Sequence, residues 1–137
     1  MKVLTTILTL ALLAVATYLS STKQTITATV VNASSDDGKI SFALYNKETF
    51  MKTPIQSKNA KIVNGKSTVT FEEVESGEYA VVCFHDKNNN DKMDFQESGM
   101  PMEDYGSSNN VMQFGPPNYR DSKFILGEKD ITVEIKF

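Results

Sequence analysis

The chain has 137 residues, and 17 acidic against 14 basic side chains give a net charge of −3. That length bounds it to one domain. An acidic balance excludes a nucleic-acid partner, whose phosphates demand a basic face, and a single cysteine, Cys83, excludes an intramolecular disulfide.

In chain order the first element is Lys2 followed by a charge-free run from Val3 to Thr22, rich in Leu, Ala, Ile and Val. A basic start with a short apolar core reads as a secretory signal peptide over residues 1–22, cut near Ser20 to Lys23. Tyr18 and Leu19 stand where small cleavage residues are preferred, and the run is nearly long enough to span a bilayer. An uncleaved N-terminal anchor is therefore the second reading. Cleavage leaves one domain over 23–137 with 13 basic and 17 acidic residues, a net charge of −4. The expected location is the periplasm or the medium, with no membrane contact after cleavage. Without a disulfide, such a domain can use a bound ion as its staple.

Strand signals then dominate. Thr25–Ala33 and Lys39–Asn46 alternate and are rich in β-branched and aromatic residues. Asn59–Val74 reads as a hairpin, with Asn64-Gly65 supplying the positive φ angles of its turn. Gly77–Asp86 is apolar on both faces, which predicts a central strand or one covered on its second face. Lys123–Gly127 and Asp130–Phe137 close the chain, and Lys47–Pro54 has room for one helical turn. About seven short strands with frequent turns predict an all-β fold, an antiparallel β-sandwich of immunoglobulin-like or transthyretin-like type.

Between Asp86 and Asp121 lies a long excursion without an obvious strand. Loops beyond about 12–15 residues are uncommon and are functional or disordered. Met100, Met102, Tyr105, Met112, Phe114 and Tyr119 supply too many packing groups for disorder. The segment is expected to be ordered, pinned at its start and packed over the second face of Gly77–Asp86.

The start of that excursion, "DKNNNDKMDFQE", carries the strongest chemical signal. Laid on a twelve-residue EF-hand loop, Asp86, Asn88 and Asn90 take the first side-chain places and the Lys92 carbonyl the backbone place. Asp94 takes the often water-mediated place, and Glu97 falls where the bidentate carboxylate belongs. Hard cations prefer six to eight such oxygens, so a Ca²⁺ loop over 86–97 is expected. With few carboxylates, its affinity should be weak, roughly 10⁻⁵ to 10⁻³ M. Asp91 replaces the usual turn glycine, but Asp tolerates left-handed backbone. No helices flank the loop, so a β-scaffold must carry it. The bland alternative is a solvated Asn/Asp-rich turn.

Two further clusters invite function. Tyr105, Asn109, Asn110, Tyr119 and Arg120, within the 99–121 segment, could stack on and hydrogen-bond a glycan or peptide. The plainer reading has them covering the core. Cys83, His85 and Asp86 tempt a hydrolase reading. Residues two apart on a strand stand too far apart for a nucleophile–base pair, so Cys83 is expected as a buried apolar group and His85 as a structural residue.

These residues also carry a resemblance. "GEYAVVCFHDKNNNDKMD", "GMPMEDYGSSNN", "FGPP", "DSKF" and "ITVEIKF" resemble bacterial domain-of-unknown-function family 2141. Phe84, His85, Asp86, Asn88, Asn90 and Asp94 match its strand end and loop. Gly99, Pro101, Tyr105, Gly106, Asn109, Gly115, Pro116 and Pro117 match the segment beyond. Asn89 and Asp91 depart from it, since the family usually has Gly there. The resemblance implies export and a β-fold with this loop, and leaves the function open. The function expected from the sequence is an exported, non-enzymatic binding or structural module with a structural Ca²⁺ ion. A glycan- or peptide-binding module is the alternative.

Overall fold

The computed structural model describes residues 21–112 and 114–137, so the expected signal segment lies outside the described residues but for Ser21 and Thr22. Among the described residues there are eight strands: β1 (Gln24–Val30), β2 (Lys39–Tyr45), β3 (Gln56–Ala60), β4 (Ser67–Val74), β5 (Gly77–Asp86), β6 (Tyr105–Ser107), β7 (Phe124–Leu126) and β8 (Ile131–Ile135). They form a three-stranded sheet, β4-β1-β8, and a five-stranded sheet, β3-β2-β5, whose far edge is shared by β6 and β7.

Period-2 patterning builds the core between the sheets. Ile26, Ala28 and Val30 of β1 point inward against Ile40, Phe42 and Leu44 of β2, with Phe71, Val81, Cys83 and Ile135 completing one buried cluster. On the outer face of β1, Thr29 and Thr68 hydroxyls pair at 2.9 Å. Glu73, at φ 57°, lies beside an irregularity in the β1–β4 register, and Val74 remains buried. Most ladders are antiparallel; β1 and β8, the first and last of the described strands, run parallel.

Two expectations change. The Asn64-Gly65 turn forms, with φ 52° and 74°, but its flanking runs do not build one hairpin. β3 pairs with β2 and β4 with β1, so residues 61–66 carry the chain from one sheet to the other. The Asp36 carboxylate fixes this corner by accepting the Asn64 and Gly65 N–H groups at 2.9 and 2.8 Å. The single helical turn expected before Pro54 is a set of turns, closed by the Lys52 N–H to the Thr49 carbonyl at 2.8 Å.

β5 is central, as its two apolar faces require. β2 occupies one edge; β7 pairs with Gly77–Tyr79 and β6 with Val82–Phe84 on the other. The gap between them is closed by the buried Ser108 hydroxyl, which accepts the Val81 N–H at 3.1 Å and bonds the Ser122 carbonyl. A single helical turn, α1 (Tyr119–Ser122), follows. Among the described residues no helix is long and apolar enough to cross a membrane.

Candidate functional site

The 86–97 loop leaves the end of β5, opposite the start of β2. Lys39 pairs with Asp86 in the ladder. Asp86 is fully buried, and its carboxylate organises the turn: Oδ1 accepts the Asn90 N–H at 3.0 Å and Oδ2 the Asp91 N–H at 2.9 Å. The Lys39 ammonium lies 3.7 Å from Oδ2 and also bonds the Asp91 carboxylate. Asp91 raises the Lys39 pKa first and Asp86 adds to it, against some desolvation.

Asn88, Asn90 and Asp94 close over this base. The Asn88 and Asn90 amides donate to the Asp94 carboxylate at 2.7 and 2.9 Å. Their own oxygens accept the N–H groups two residues on, at 3.3 Å (Asn90) and 3.2 Å (Lys92). These donors, Asn90 first, hold the Asp94 carboxyl below its ordinary range, so it is an anion at neutral pH. Asn89 and Asp91, the two positions where glycine was expected, both have left-handed backbone at φ 56° and 64°. Asn and Asp accept that geometry better than other side chains.

Four of the expected metal residues, Asp86, Asn88, Asn90 and Asp94, are thus joined in one bonded loop, and Lys92 enters it through its backbone. Glu97 is not part of it. Residues 94–102 form a small hairpin, with the Met102 N–H to the Asp94 carbonyl at 2.9 Å and the Gln96 N–H to the Met100 carbonyl at 2.8 Å. Glu97 is exposed in its turn and takes part in none of the bonds joining the others. Among the described residues, no three His, Cys, Asp or Glu side chains gather as a metal-holding group.

The carboxylate that closes the second half is Glu103, which the sequence reading did not single out. It is buried, and it accepts the Lys87 N–H at 3.1 Å and the Asp94 N–H at 3.2 Å, one per oxygen. It therefore staples the loop's entry to its exit. No spacing rule flags it; the only signal is an acid set between Pro101-Met102 and Tyr105. Glu103→Gln sets an amide N–H₂ against one of those backbone donors. It should cost about 1–3 kcal/mol of stability, read by urea unfolding.

The second residue set is tied down internally. Asn109 donates to the Asp121 and Lys123 carbonyls at 2.9 and 2.8 Å. Asn110 occupies the β8 edge like a strand partner, donating to the Glu134 carbonyl at 2.9 Å and accepting the Lys136 N–H at 2.8 Å. Tyr105 donates its hydroxyl to the Gly115 carbonyl at 2.9 Å. Tyr119 stacks edge-on against Phe50 at 5.5 Å, and burial, then the Glu78 carboxylate, pushes its phenol up to about 12. Arg120 is exposed, with its Nε 3.6 Å from Asp121. The polar groups of Asn109 and Asn110 serve the fold.

Cys83 and His85 face the core, both fully buried. Burial pushes the Cys83 thiol well above its ordinary pKa, with Sγ 3.8 Å from the Gly106 carbonyl. His85 Nε2 bonds the Asp37 carbonyl at 2.7 Å, and its backbone N–H the Asp104 carbonyl at 2.8 Å. The imidazole thus ties the β1–β2 connection to β5. Labelling of Cys83 by a neutral thiol reagent at pH 7 should be on the order of a hundredfold slower in folded than in unfolded protein.

No curated protein and no solved structure matches the chain. A family model does match, over residues 28–134, and it describes an uncharacterized protein conserved in bacteria. Those residues take in all eight strands at least in part and the whole of the 86–97 loop, and the chain belongs to domain-of-unknown-function family 2141 (DUF2141).

Proposed function

We propose that this is an exported β-sandwich module whose 86–97 loop binds Ca²⁺ as a structural ion, in a binding or structural role rather than a catalytic one. The observation that carries the reading is the closure of Asn88 and Asn90 on the Asp94 carboxylate above a buried Asp86. Two amide N–H₂ groups bring partial positive charge to the anion, at the centre of a ladder of oxygens. The Asn88 and Asn90 oxygens each accept one backbone N–H and keep a second lone pair for a hard cation, which would take the place of their amide donors on Asp94.

The donor set fits such an ion. Asp86 Oδ1 accepts one N–H and keeps a second lone pair, whereas Oδ2 accepts one N–H and faces the Lys39 ammonium. Asp94 is ionised, and the Lys92 carbonyl adds a neutral oxygen. Glu97 stays outside this set. The Lys39 ammonium partly neutralises Asp86, which agrees with the weak affinity expected from so few carboxylates. Burial of Cys83 and His85 supports the non-catalytic role. Export rests on the apolar run after Lys2 and is tested by the N-terminus of protein isolated from the native envelope, expected near Ser20 to Lys23.

Titration of ¹⁵N-labelled protein with calcium tests the ion. The side-chain amide resonances of Asn88 and Asn90 should shift saturably, and Asp94→Ala should lose the response. Asp91→Gly should retain it, because the Asp91 group that reaches Asp86 is its backbone N–H. Amide resonances unmoved at about 10 mM calcium, above the weak extracellular range, would overturn the reading.

A further inference from the structure

The outer face of β5 is not sealed. Val82 and Phe84 point away from the core and are only half-buried, although they sit on a central strand. Above them the excursion forms a rim instead of a cover, leaving a groove of about 600 Å³. Met93, Phe95, Met100 and Phe114 stand along its walls. Phe95, Met100 and Phe114 are each more than half exposed. Large apolar side chains held around one concavity, and left in water, mark a binding surface rather than chance exposure.

We infer that this groove is a binding site for an uncharged, hydrophobic small molecule. Its size falls within the range of small-ligand sites, roughly 300–1,000 Å³, and its lining is of the apolar and aromatic kind such sites use. Charge points the same way. The chain is 23% charged, yet none of the described residues lining the groove is Asp, Glu, Lys, Arg or His. A charged ligand group would be desolvated there without a partner, whereas a neutral one would not. The Tyr105 hydroxyl is bonded to Gly115, so its ring adds area without a polar demand. Three methionines, Met51, Met93 and Met100, give the walls the adaptability that suits apolar ligands of varied shape. An added peptide strand cannot pair with β5 itself, because β2, β6 and β7 occupy both of its edges beneath the groove.

The test uses the neutral fluorophore N-phenyl-1-naphthylamine with the purified protein, in chelator, so that it does not depend on the ion. Fluorescence should rise saturably to one probe per chain. Met100→Glu places a charge on an exposed wall without touching the core and should weaken binding about tenfold or more. Val82→Asp, on the floor, should do the same. A Thr68→Asp control on the outer face of β4 should leave binding unchanged. Lack of saturable binding, or binding indifferent to both groove variants, would overturn the inference. So would sedimentation showing a dimer that Met100→Glu abolishes, since the groove would then be covered by a second copy.

Discussion

Gly38→Ala should be among the most damaging single-methyl changes in the chain, costing about 3–5 kcal/mol. Gly38 sits at φ 70°, immediately before β2, where an L side chain is strained by the backbone alone. A Cβ there would also run into the Asp86 carbonyl oxygen, with Lys87 Cα and O at 2.8 Å. These are backbone atoms and cannot swing aside. The start of β2 must part from the end of β5, and that is the junction that places Lys39 beside Asp86. The expected result is a drop in melting midpoint of more than ten degrees, at about 4 °C per kcal/mol for a domain of this size. Calcium response should fall with it. Gly99→Ala is the contrast: φ is 85°, but nothing lies within 4 Å of its Cβ, so only the conformational strain of about 1–2 kcal/mol remains.

Asp86→Ala should cost about 2–4 kcal/mol and remove the calcium response altogether. The carboxylate is fully buried and holds two backbone N–H groups and an ammonium. Each buried donor left without an acceptor costs about 1–3 kcal/mol, less where water can enter beside the exposed loop. Asp86→Asn separates the two roles. Its remaining oxygen can keep one N–H acceptor, so about half of the stability loss should return. Without the charge beside Asp94, calcium affinity should stay at least tenfold lower. Urea unfolding with and without chelator reads both quantities.

Much of the fold was legible because its causes are local. β1, β2 and β5 follow from alternation, and β5 was read as central because both of its faces are apolar. The left-handed backbone at Asp91 followed from its place in the loop. What escaped is long-range. β3 and β4 flank a real turn yet join different sheets, and nothing in "QSKNA" announces a partner. The parallel β1–β8 ladder joins segments about a hundred residues apart in sequence. At the site, Asp86, Asn88, Asn90 and Asp94 were visible as spacing, whereas Lys39 arrives only through strand register and Glu103 only through the fold of the 94–102 hairpin. Spacing alone also placed Glu97 in the loop, because an EF-hand's exit helix, which would bring it there, is replaced by that hairpin.

Melting curves in saturating calcium and in chelator test the central claim most directly. Calcium at tenfold its dissociation constant should stabilise the domain by about 1.4 kcal/mol. The midpoint should rise by about 5 °C, with Mg²⁺ giving much less because it demands tighter octahedral geometry. Superimposable curves in millimolar calcium and in chelator would contradict an ion site and leave the loop a turn closed by its own amides.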